Sequence, residues 1–347
     1  MIVNLKVIVA MSGGIDSSFA LWLLLKQGYD AIGCYLLMSD GHEEDMKRAQ
    51  EICDRLGVSF NVVDVKDRFS NEVIKPFIRS YSKGVTPNPC IFCNPGVKFK
   101  VLFEMLEKFD ADILATGHYA RIVKSDLTYN IVRGKDLKKE QSYVLYRLKK
   151  EWLNRIIFPL GDWTKDEVKA KAREIFGEVF RDVPESADLC FLGEKEKFKD
   201  FIATNAQATK GPIISTKGDL LGYHDGLVFY TVGQREGLGL SNGPWYVLEI
   251  RAQDNTLVVG RKADLYKRTI ICIHPHWLER PMVGATYAAQ HRYKAIPKTV
   301  MLTSLDEGEF VAEAIESPFW GVAPGQSLVL YDGEIVVGGG IIASFER

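Results

Sequence analysis

One string, Ser12-Gly13-Gly14-Ile15-Asp16-Ser17-Ser18, constrains this chain more than any other feature. It follows the apolar run Val7–Ala10 and opens a stretch, Ser17–Gln27, that contains no glycine or proline. A short buried strand, a glycine turn and an apolar helix in that order predict a parallel sheet covered by helices. A turn of this kind aims backbone N–H groups and the positive end of the helix dipole at an anion. Gly13 and Gly14 permit close approach and positive φ. Ser12 and Ser17 offer hydroxyls to phosphate oxygens. Asp16 cannot meet an anion directly, so Mg²⁺ binding or capping of the helix is its natural role. No lysine occurs in the loop, which separates it from the Walker A motif.

The rest of the first half repeats the alternation. Strands are expected at Ala31–Leu37, Phe60–Val65 and Ile113–Ala115, and helices at Ser17–Gln27, Glu43–Leu56, Arg68–Ser82 and Val97–Phe109. In sheets of this type ligands sit at the carboxyl ends of the strands. Residues 135–205 read as charged and mostly helical. From Gly211 onward short apolar runs, LVFYTVG, WYVLEI, TLVVG, SLVLYDG and EIVVGGGII, are broken by Gly, Asn and Asp. That pattern predicts a β-rich module followed by a barrel. The expected domains are 1–207, 208–270 and 271–347.

Composition narrows the class. The 347 residues exceed one ordinary domain, and 46% hydrophobic content can fill a core. No apolar run is long enough to span a bilayer, and the N-terminus lacks the order of a signal peptide, so no membrane partner and a cytoplasmic location are expected. A net charge of −1 gives no global field for nucleic acid, although a local basic patch can supply one. Six cysteines in a chain this long do not form a disulfide framework. Cys34 falls in an expected strand, Cys53 in an expected helix and Cys272 in an apolar run, and all three read as small core residues. Cys90 and Cys93 differ, because their CxxC spacing in the stiff loop TPNPCIFCNPG suggests metal, cluster or sulfur chemistry.

The loop string resembles the pyrophosphate-loop motif of the N-type ATP pyrophosphatases. Those enzymes split ATP between the α and β phosphates and leave AMP on a substrate oxygen. Further blocks narrow the resemblance: TPNPCIFCNPGVKF, ATGHYAR, KKEQSYVLY, DLCFLG, GLVFYTVGQREGLGL, PWYVLEI, HRYKAIP and APGQSLVLYDGEIVVGGGII. Nearly end to end, the chain is similar to the bacterial tRNA-specific 2-thiouridylases.

The resemblance implies a nucleotide α-hydrolase-like domain with a helical tRNA-binding extension, a small β-rich module and a C-terminal β-barrel. It implies ATP and Mg²⁺ as cosubstrates, and adenylation of the C2 oxygen of a wobble uridine in tRNA, with sulfur then replacing that oxygen. It assigns ATP contacts to Ala10, Met11, Ser12, Gly13, Gly14, Ile15, Asp16, Ser17, Leu36 and Gly117. It makes Cys93 the nucleophile and Cys190 the persulfide carrier. Either task needs a thiolate, so a depressed pKa is expected at both. The sulfur would come from a persulfide carrier protein, a cysteine desulfurase or sulfide.

The tRNA contacts implied are Asn88, Pro89 and Cys90 around a flipped base, His118, the block Lys139, Glu140 and Gln141, and Arg292, Tyr293 and Gln326. Read without the resemblance, the block around Lys139 is a solvated charged turn and a lone histidine is structural. The chain departs from the family at Cys90, where members often carry Asp. Cys90, Cys93 and Cys190 together could hold three irons of a 4Fe–4S cluster. The alternatives are a persulfide relay with Cys90 as bystander and, less favoured, a structural Zn²⁺. A C–N ligase of the same superfamily would leave the CxxC idle, and a non-catalytic RNA- or metal-binding protein would leave the glycine loop unexplained.

Overall fold

The computed structural model describes residues 5–126, 128–181, 183, 189–192 and 198–346. The chain divides into two compact units: residues 1–73, 90–194 and 334–336 form one, and residues 74–89, 195–333 and 337–347 form the other.

The first unit holds the parallel sheet. Its strands are β1 (Lys6–Met11), β2 (Asp30–Leu37), β3 (Ser59–Asp64) and β4 (Ile113–Ala115). An antiparallel hairpin follows, β5 (Ala120–Ser125) with β6 (Thr128–Arg133), and then the two-residue strand β7 (Ile156–Ile157). The sheet order is β3-β2-β1-β4-β7, all parallel. The strand order therefore reverses at β1, and the crevice beyond its carboxyl end is where such folds bind ligands. Val7, Ile8 and Val9 are fully buried, as a central strand covered on both faces requires.

Helix α1 (Ile15–Lys26) follows β1 at once, and α2 (Glu43–Leu56) links β2 to β3. Six residues of α1 are buried, among them Phe19, Leu21 and Leu24. Each such side chain contributes roughly 1.5–3 kcal/mol of burial free energy, an upper bound because the unfolded chain is already partly compact. Helix α1 is apolar on nearly every face because it lies between the sheet and a later helix, whose Val168, Ala172 and Phe176 join the same core. Helices α3 (Pro89–Cys93), α4 (Phe99–Phe109) and α5 (Lys165–Phe176) follow further along the chain. Thr164 caps α5 through a reciprocal box with Glu167, which fixes where that helix starts.

The second unit is β-rich. One sheet runs β10-β11-β8-β9, with β8 (Gly211–Ser215), β9 (Leu220–His224), β10 (Tyr246–Arg251) and β11 (Thr256–Gly260). A closed barrel of six antiparallel strands follows. Its strands are β12 (Thr269–Trp277), β13 (Thr286–Gln290), β14 (Lys298–Leu305), β15 (Glu309–Ala314), β16 (Ser327–Asp332) and β17 (Ile335–Glu346). Pairing of β12 with both β15 and β17 closes it, which removes the exposed edges an open sheet would carry. The barrel interior is a separate core built on Ile270, Val300, Leu302, Phe310, Phe319 and Leu330.

Two expectations need correction. Residues 135–205 are not mostly helical among the described residues: only α5 and Phe198–Asn205 are regular α-helix there, with short 3₁₀ turns elsewhere. The run LVFYTVG is not a strand. Gly226 has φ +155, and Leu227–Phe229 is a 3₁₀ turn whose Leu227 and Val228 are buried in the small module. Its apolar side chains satisfy a core, which a strand would also do, so periodicity alone misread it.

Candidate active site

The loop predicted to cradle phosphates lies at the carboxyl end of β1, and its hydroxyls organise the backbone. Ser17 Oγ donates to Gly14 O at 3.0 Å and accepts from Ser12 N at 3.2 Å. Ser12 Oγ lies 3.1 Å from Ser17 Oγ, and Ser18 Oγ donates to Gly14 O at 3.0 Å. Gly14 is the N-cap of α1 and has no side chain to satisfy the first-turn amides, which leaves those donors for a ligand. Gly13 has φ +74, and a Cβ there would fall 2.1 Å from Asp45 O. Only glycine fits. Arg48 closes the far side, donating through Nε to Gly13 O at 2.6 Å while pairing with Asp45.

Asp16 does not cap the helix. Its carboxylate faces the first turn of α5, where Lys165 Nζ lies 2.6 Å from each oxygen, and Tyr119 OH donates to Oδ1 at 2.7 Å. Lys165 is itself anchored, its backbone N–H donating to Asp136 Oδ2 at 2.9 Å. Gly117 packs against this turn: a Cβ would stand 3.1 Å from Asp16 C and Ser17 N. Ala10 is half-buried at the end of β1, Met11 is buried, and Leu36 is half-buried near the end of β2. The loop thus has two cations beside it, Arg48 and Lys165, that its own sequence lacks. A cavity of about 400 Å³, lined by Asp64, Lys66, Arg68 and Glu104 among others, lies beyond β3 and does not include the loop.

The cysteines stand in the same unit. Cys93 ends α3 and is buried, Cys90 is partly exposed and Cys190 is exposed. Of the block DLCFLG only Leu189–Leu192 falls among the described residues. After α3 the chain takes a π-helical turn, Asn94–Lys98, in which Phe99 N–H donates to Asn94 O. Such turns reset the phase of a helix and occur often at functional sites. This one is held by buried Asn94, whose Nδ2 donates to Val144 O at 2.9 Å. It places Lys98 so that its backbone N–H bonds the Cys93 thiol and its ammonium charge acts on Cys93 and Cys190 together.

The expected depression of the two thiol pKa values is not found. Burial pushes the Cys93 thiol up to about 12, Lys98 opposes that, and the neighbouring Cys190 and Cys90 raise it further. The Cys190 thiol is also raised, because enough protein surrounds it to desolvate a charge although its surface is open, with Lys98 again opposing. Both cysteines are therefore thiols at neutral pH in the ligand-free protein. Lys98 is the group that favours the thiolate at each.

The three cysteines do not fit an iron–sulfur cluster in this arrangement. Among the described residues no group of three or more His, Cys, Asp or Glu stands close enough to hold a metal ion. The same result leaves the suggested Zn²⁺ without a site among those residues. Cys34, Cys53 and Cys272 are buried as expected.

His118 follows β4 and is buried, stacked on Phe99 with ring centroids 5.9 Å apart and with Nδ1 2.6 Å from Thr116 Oγ1. Burial, with Lys98 adding to it, holds its pKa well below 6.5, so it is neutral. The block read as a solvated turn is only partly so. Glu140 is buried, its pKa raised by desolvation, with Arg133 Nη1 3.3 Å away. Gln141 Oε1 accepts Tyr119 N–H at 2.9 Å. Lys139 is half-buried. Asn88 and Pro89 belong to the second unit, as do Arg292, Tyr293 and Gln326. There Arg292 is exposed, its guanidinium 5.5 Å from the Trp320 ring, and Lys294 lies 5.1 Å from the Tyr293 ring.

Sequence reasoning missed Lys165, Tyr119 and Lys98. Tyr119 sits in the quoted block ATGHYAR, but no spacing rule pointed from it to Asp16. Lys98 lies five positions after Cys93, one residue beyond a normal helical contact, and only the π turn aligns them.

A glycine loop at the switch strand of a five-stranded parallel sheet, with a partly buried aspartate–lysine pair beside it, defines the nucleotide-binding α/β class. Three family models match the chain in succession. Residues 5–194 match the tRNA methyl transferase HUP domain, 199–261 the tRNA methyl transferase PRC-barrel domain, and 267–342 the aminomethyltransferase beta-barrel domain. A tRNA-specific 2-thiouridylase MnmA of Dehalococcoides mccartyi is 41% identical, covering 97% of this chain and 96% of the relative. Another of the same name from Shewanella piezotolerans is 40% identical over 97% of this chain and 95% of its own. A solved 4-thiouridine synthetase–RNA complex with bound ATP is 20% identical, with a TM-score of 0.36 over 59% of this chain and 46% of that one. The chain belongs to the tRNA-specific 2-thiouridylase family.

Proposed function

We propose that this protein is an ATP-dependent sulfurtransferase that converts the wobble uridine of tRNA to 2-thiouridine, releasing AMP and pyrophosphate. The observation that carries the reading is the presence in one unit of both chemistries: the Ser12–Ser18 loop for phosphates, and Cys93 near Cys190 under the shared cation Lys98. In this reading the loop amides, Ser12, Ser17 and Lys165 stabilise charge on the departing pyrophosphate. Asp16 would hold Mg²⁺, which would supply further positive charge to the departing phosphates. Cys190 carries the incoming sulfur at the surface as a persulfide, taking the outer sulfur of a persulfide carrier or desulfurase whose own thiol is left behind, and Cys93 acts from the buried side. Cys90 is a bystander. Arg292 and Tyr293 supply a cation and a ring to the RNA. We take 1–207, 208–270 and 271–347 as the functional modules and place the protein in the cytoplasm, where its substrate is.

The test is incubation of purified protein with tRNA bearing an unmodified wobble uridine, ATP, Mg²⁺ and a persulfide donor, followed by nucleoside mass spectrometry. ATP-dependent 2-thiouridine is the expected product, and its absence would sink the reading. Iron and labile-sulfide analysis of anaerobically purified protein checks the cysteine assignment: stoichiometric iron in the active protein would overturn the persulfide relay.

A further inference from the structure

The stretch of chain leading into the cysteines belongs to the second unit. Residues Ile74–Pro89 cluster with residues 195–333, and the division falls between Pro89 and Cys90, inside helix α3. Within the second unit this strap is held along its length. Phe77 and Tyr81 pack on Phe198, with ring centroids 6.2 and 5.2 Å apart. Gly84 has φ +74 and lies so close to Ile250 that a Cβ would fall 2.7 Å from its Cγ2.

Thr86 is the most constrained point. Its N–H donates to Pro324 O at 2.9 Å, its carbonyl accepts from Gln326 Nε2 at 2.8 Å, and its hydroxyl lies 2.9 Å from that of Thr231. Thr231 is fixed in turn by Gln234, whose Oε1 accepts its N–H at 3.1 Å. Gly325 lets the two segments meet: a Cβ would fall 2.3 Å from Val85 Cγ1 and 3.1 Å from Thr86 O. All of these residues lie within one unit, yet they come from both the small β module and the barrel.

We propose that Gln326 and Thr231 are positioning residues for the sulfur chemistry, acting through Thr86 on the cysteine helix. The backbone N–H, the carbonyl and the hydroxyl of Thr86 are all engaged, so its place is over-determined. Between Thr86 and Cys90 the chain reads Pro87-Asn88-Pro89. Two prolines fix φ at their own positions and restrict the residue before each, so a displacement at Thr86 reaches Cys90 instead of being absorbed. Pro89 is also the first residue of α3, where its fixed φ starts the helix. The family resemblance makes Gln326 an RNA contact. Here its amide N–H₂ instead serves Thr86, which is a positioning role and not a contact to RNA.

This inference rests on the proposed thiolation, and the experiment separates the two. Full-length Gln326→Leu and Thr86→Val proteins are compared with wild type, with melting curves to confirm folding. Thr86→Val is isosteric and loses only the Thr231 contact. The kcat for thiolation should fall about 10–100-fold, as for a misplaced reacting group, with KM for tRNA unchanged. Alkylation of Cys93 by iodoacetamide in RNA-free protein should be faster in both variants. A raised KM with unchanged kcat would make Gln326 a plain RNA contact and overturn the proposal. Unaltered Cys93 alkylation in both variants would overturn it too, and that readout stands even if wild type fails to thiolate tRNA.

Discussion

Lys165 Nζ stands 2.6 Å from both carboxylate oxygens of Asp16. The Lys165 side chain is only 10% exposed and that of Asp16 29%, so the pair is weakly screened. It ties the first turn of α1 to the first turn of α5, two elements separated by 149 residues. It also gives Asp16 a role neither sequence expectation named. If Asp16 is to hold Mg²⁺, it would do so in competition with the Lys165 ammonium already in place.

Removing the lysine therefore has two effects of the same sign. Lys165→Met leaves Asp16 unneutralised beside an incoming polyanion and deletes a donor for the leaving pyrophosphate. We expect kcat/KM for ATP to fall about 100- to 1,000-fold, the usual cost of one lost transition-state donor. Steady-state thiolation assays at varied ATP measure it. Because the two groups act as a pair, Asp16→Asn added to Lys165→Met should cost little more than the single change. Full additivity would show that the pair is not a functional unit.

Gly13→Ala tests the loop itself. The new methyl would meet Asp45 O at 2.1 Å, and the φ of +74 is a conformation alanine adopts only with strain. Backbone strain of this kind costs on the order of 1–3 kcal/mol, and here a backbone clash adds to it. The folded state has to move the α2 terminus or the loop. Expected outcomes are a lower melting temperature and loss of ATP binding by calorimetry. Retention of wild-type ATP affinity would mean the loop amides do not hold phosphate.

The thiols give a prediction with a pH sign. Cys93 is raised to about 12 and Cys190 is raised as well, with Lys98 opposing burial at both. Lys98→Gln removes the charge that favours both thiolates and leaves only backbone N–H bonds to do so, so both should titrate still higher. At pH 8 the rate of iodoacetamide labelling, read by peptide mass spectrometry, should drop at Cys93 and Cys190 together. Cys190, being exposed, should label before buried Cys93 in wild type. The alkaline rise of the thiolation rate should move to higher pH in the variant. Labelling that is unchanged at both sites would remove Lys98 from the mechanism.

How much of this was legible in the sequence differs by element. The sheet strands and α1 were readable because burial on both faces gives continuous apolar runs, VIVA and AIGCYLL. The loop was readable because glycine spacing and phosphate binding share one cause. The Asp16–Lys165 pair was not, since periodicity is local and its partners are distant in sequence. Lys98 was hidden by an assumption of regular helix: with ordinary 3.6-residue turns it would not serve Cys93. The thiol pKa values were misjudged for a related reason. A reactive role was taken to require a depressed pKa, whereas burial of Cys93 outweighs its cation in the ligand-free protein. The strap at Ile74–Pro89 was read as a plain helix and loop of the first domain, because chain order says nothing about which core a segment joins.

Three buried histidines set the response of stability to acid. Burial is the first cause in each case: it holds His118 well below 6.5, His224 below it, and His291 at about 4, with Arg292 adding to the last. A neutral His291 explains its geometry, since Nε2–H donates to Trp320 O at 3.1 Å. As pH falls through 6.5 the unfolded chain takes up protons that the native protein refuses, so stability declines. The loss from His291 continues until about pH 4, at roughly 1.4 kcal/mol per pH unit. Glu140 works against this trend, because its raised pKa favours the native state as the pH approaches the carboxylate range. Urea midpoints should therefore fall between pH 7.5 and pH 5.5, before most carboxylates titrate. His291→Gln keeps a donor for Trp320 O without a titrating group and should flatten the slope for the barrel transition. An equally steep slope in that variant would show that His291 is not the proton-linked group.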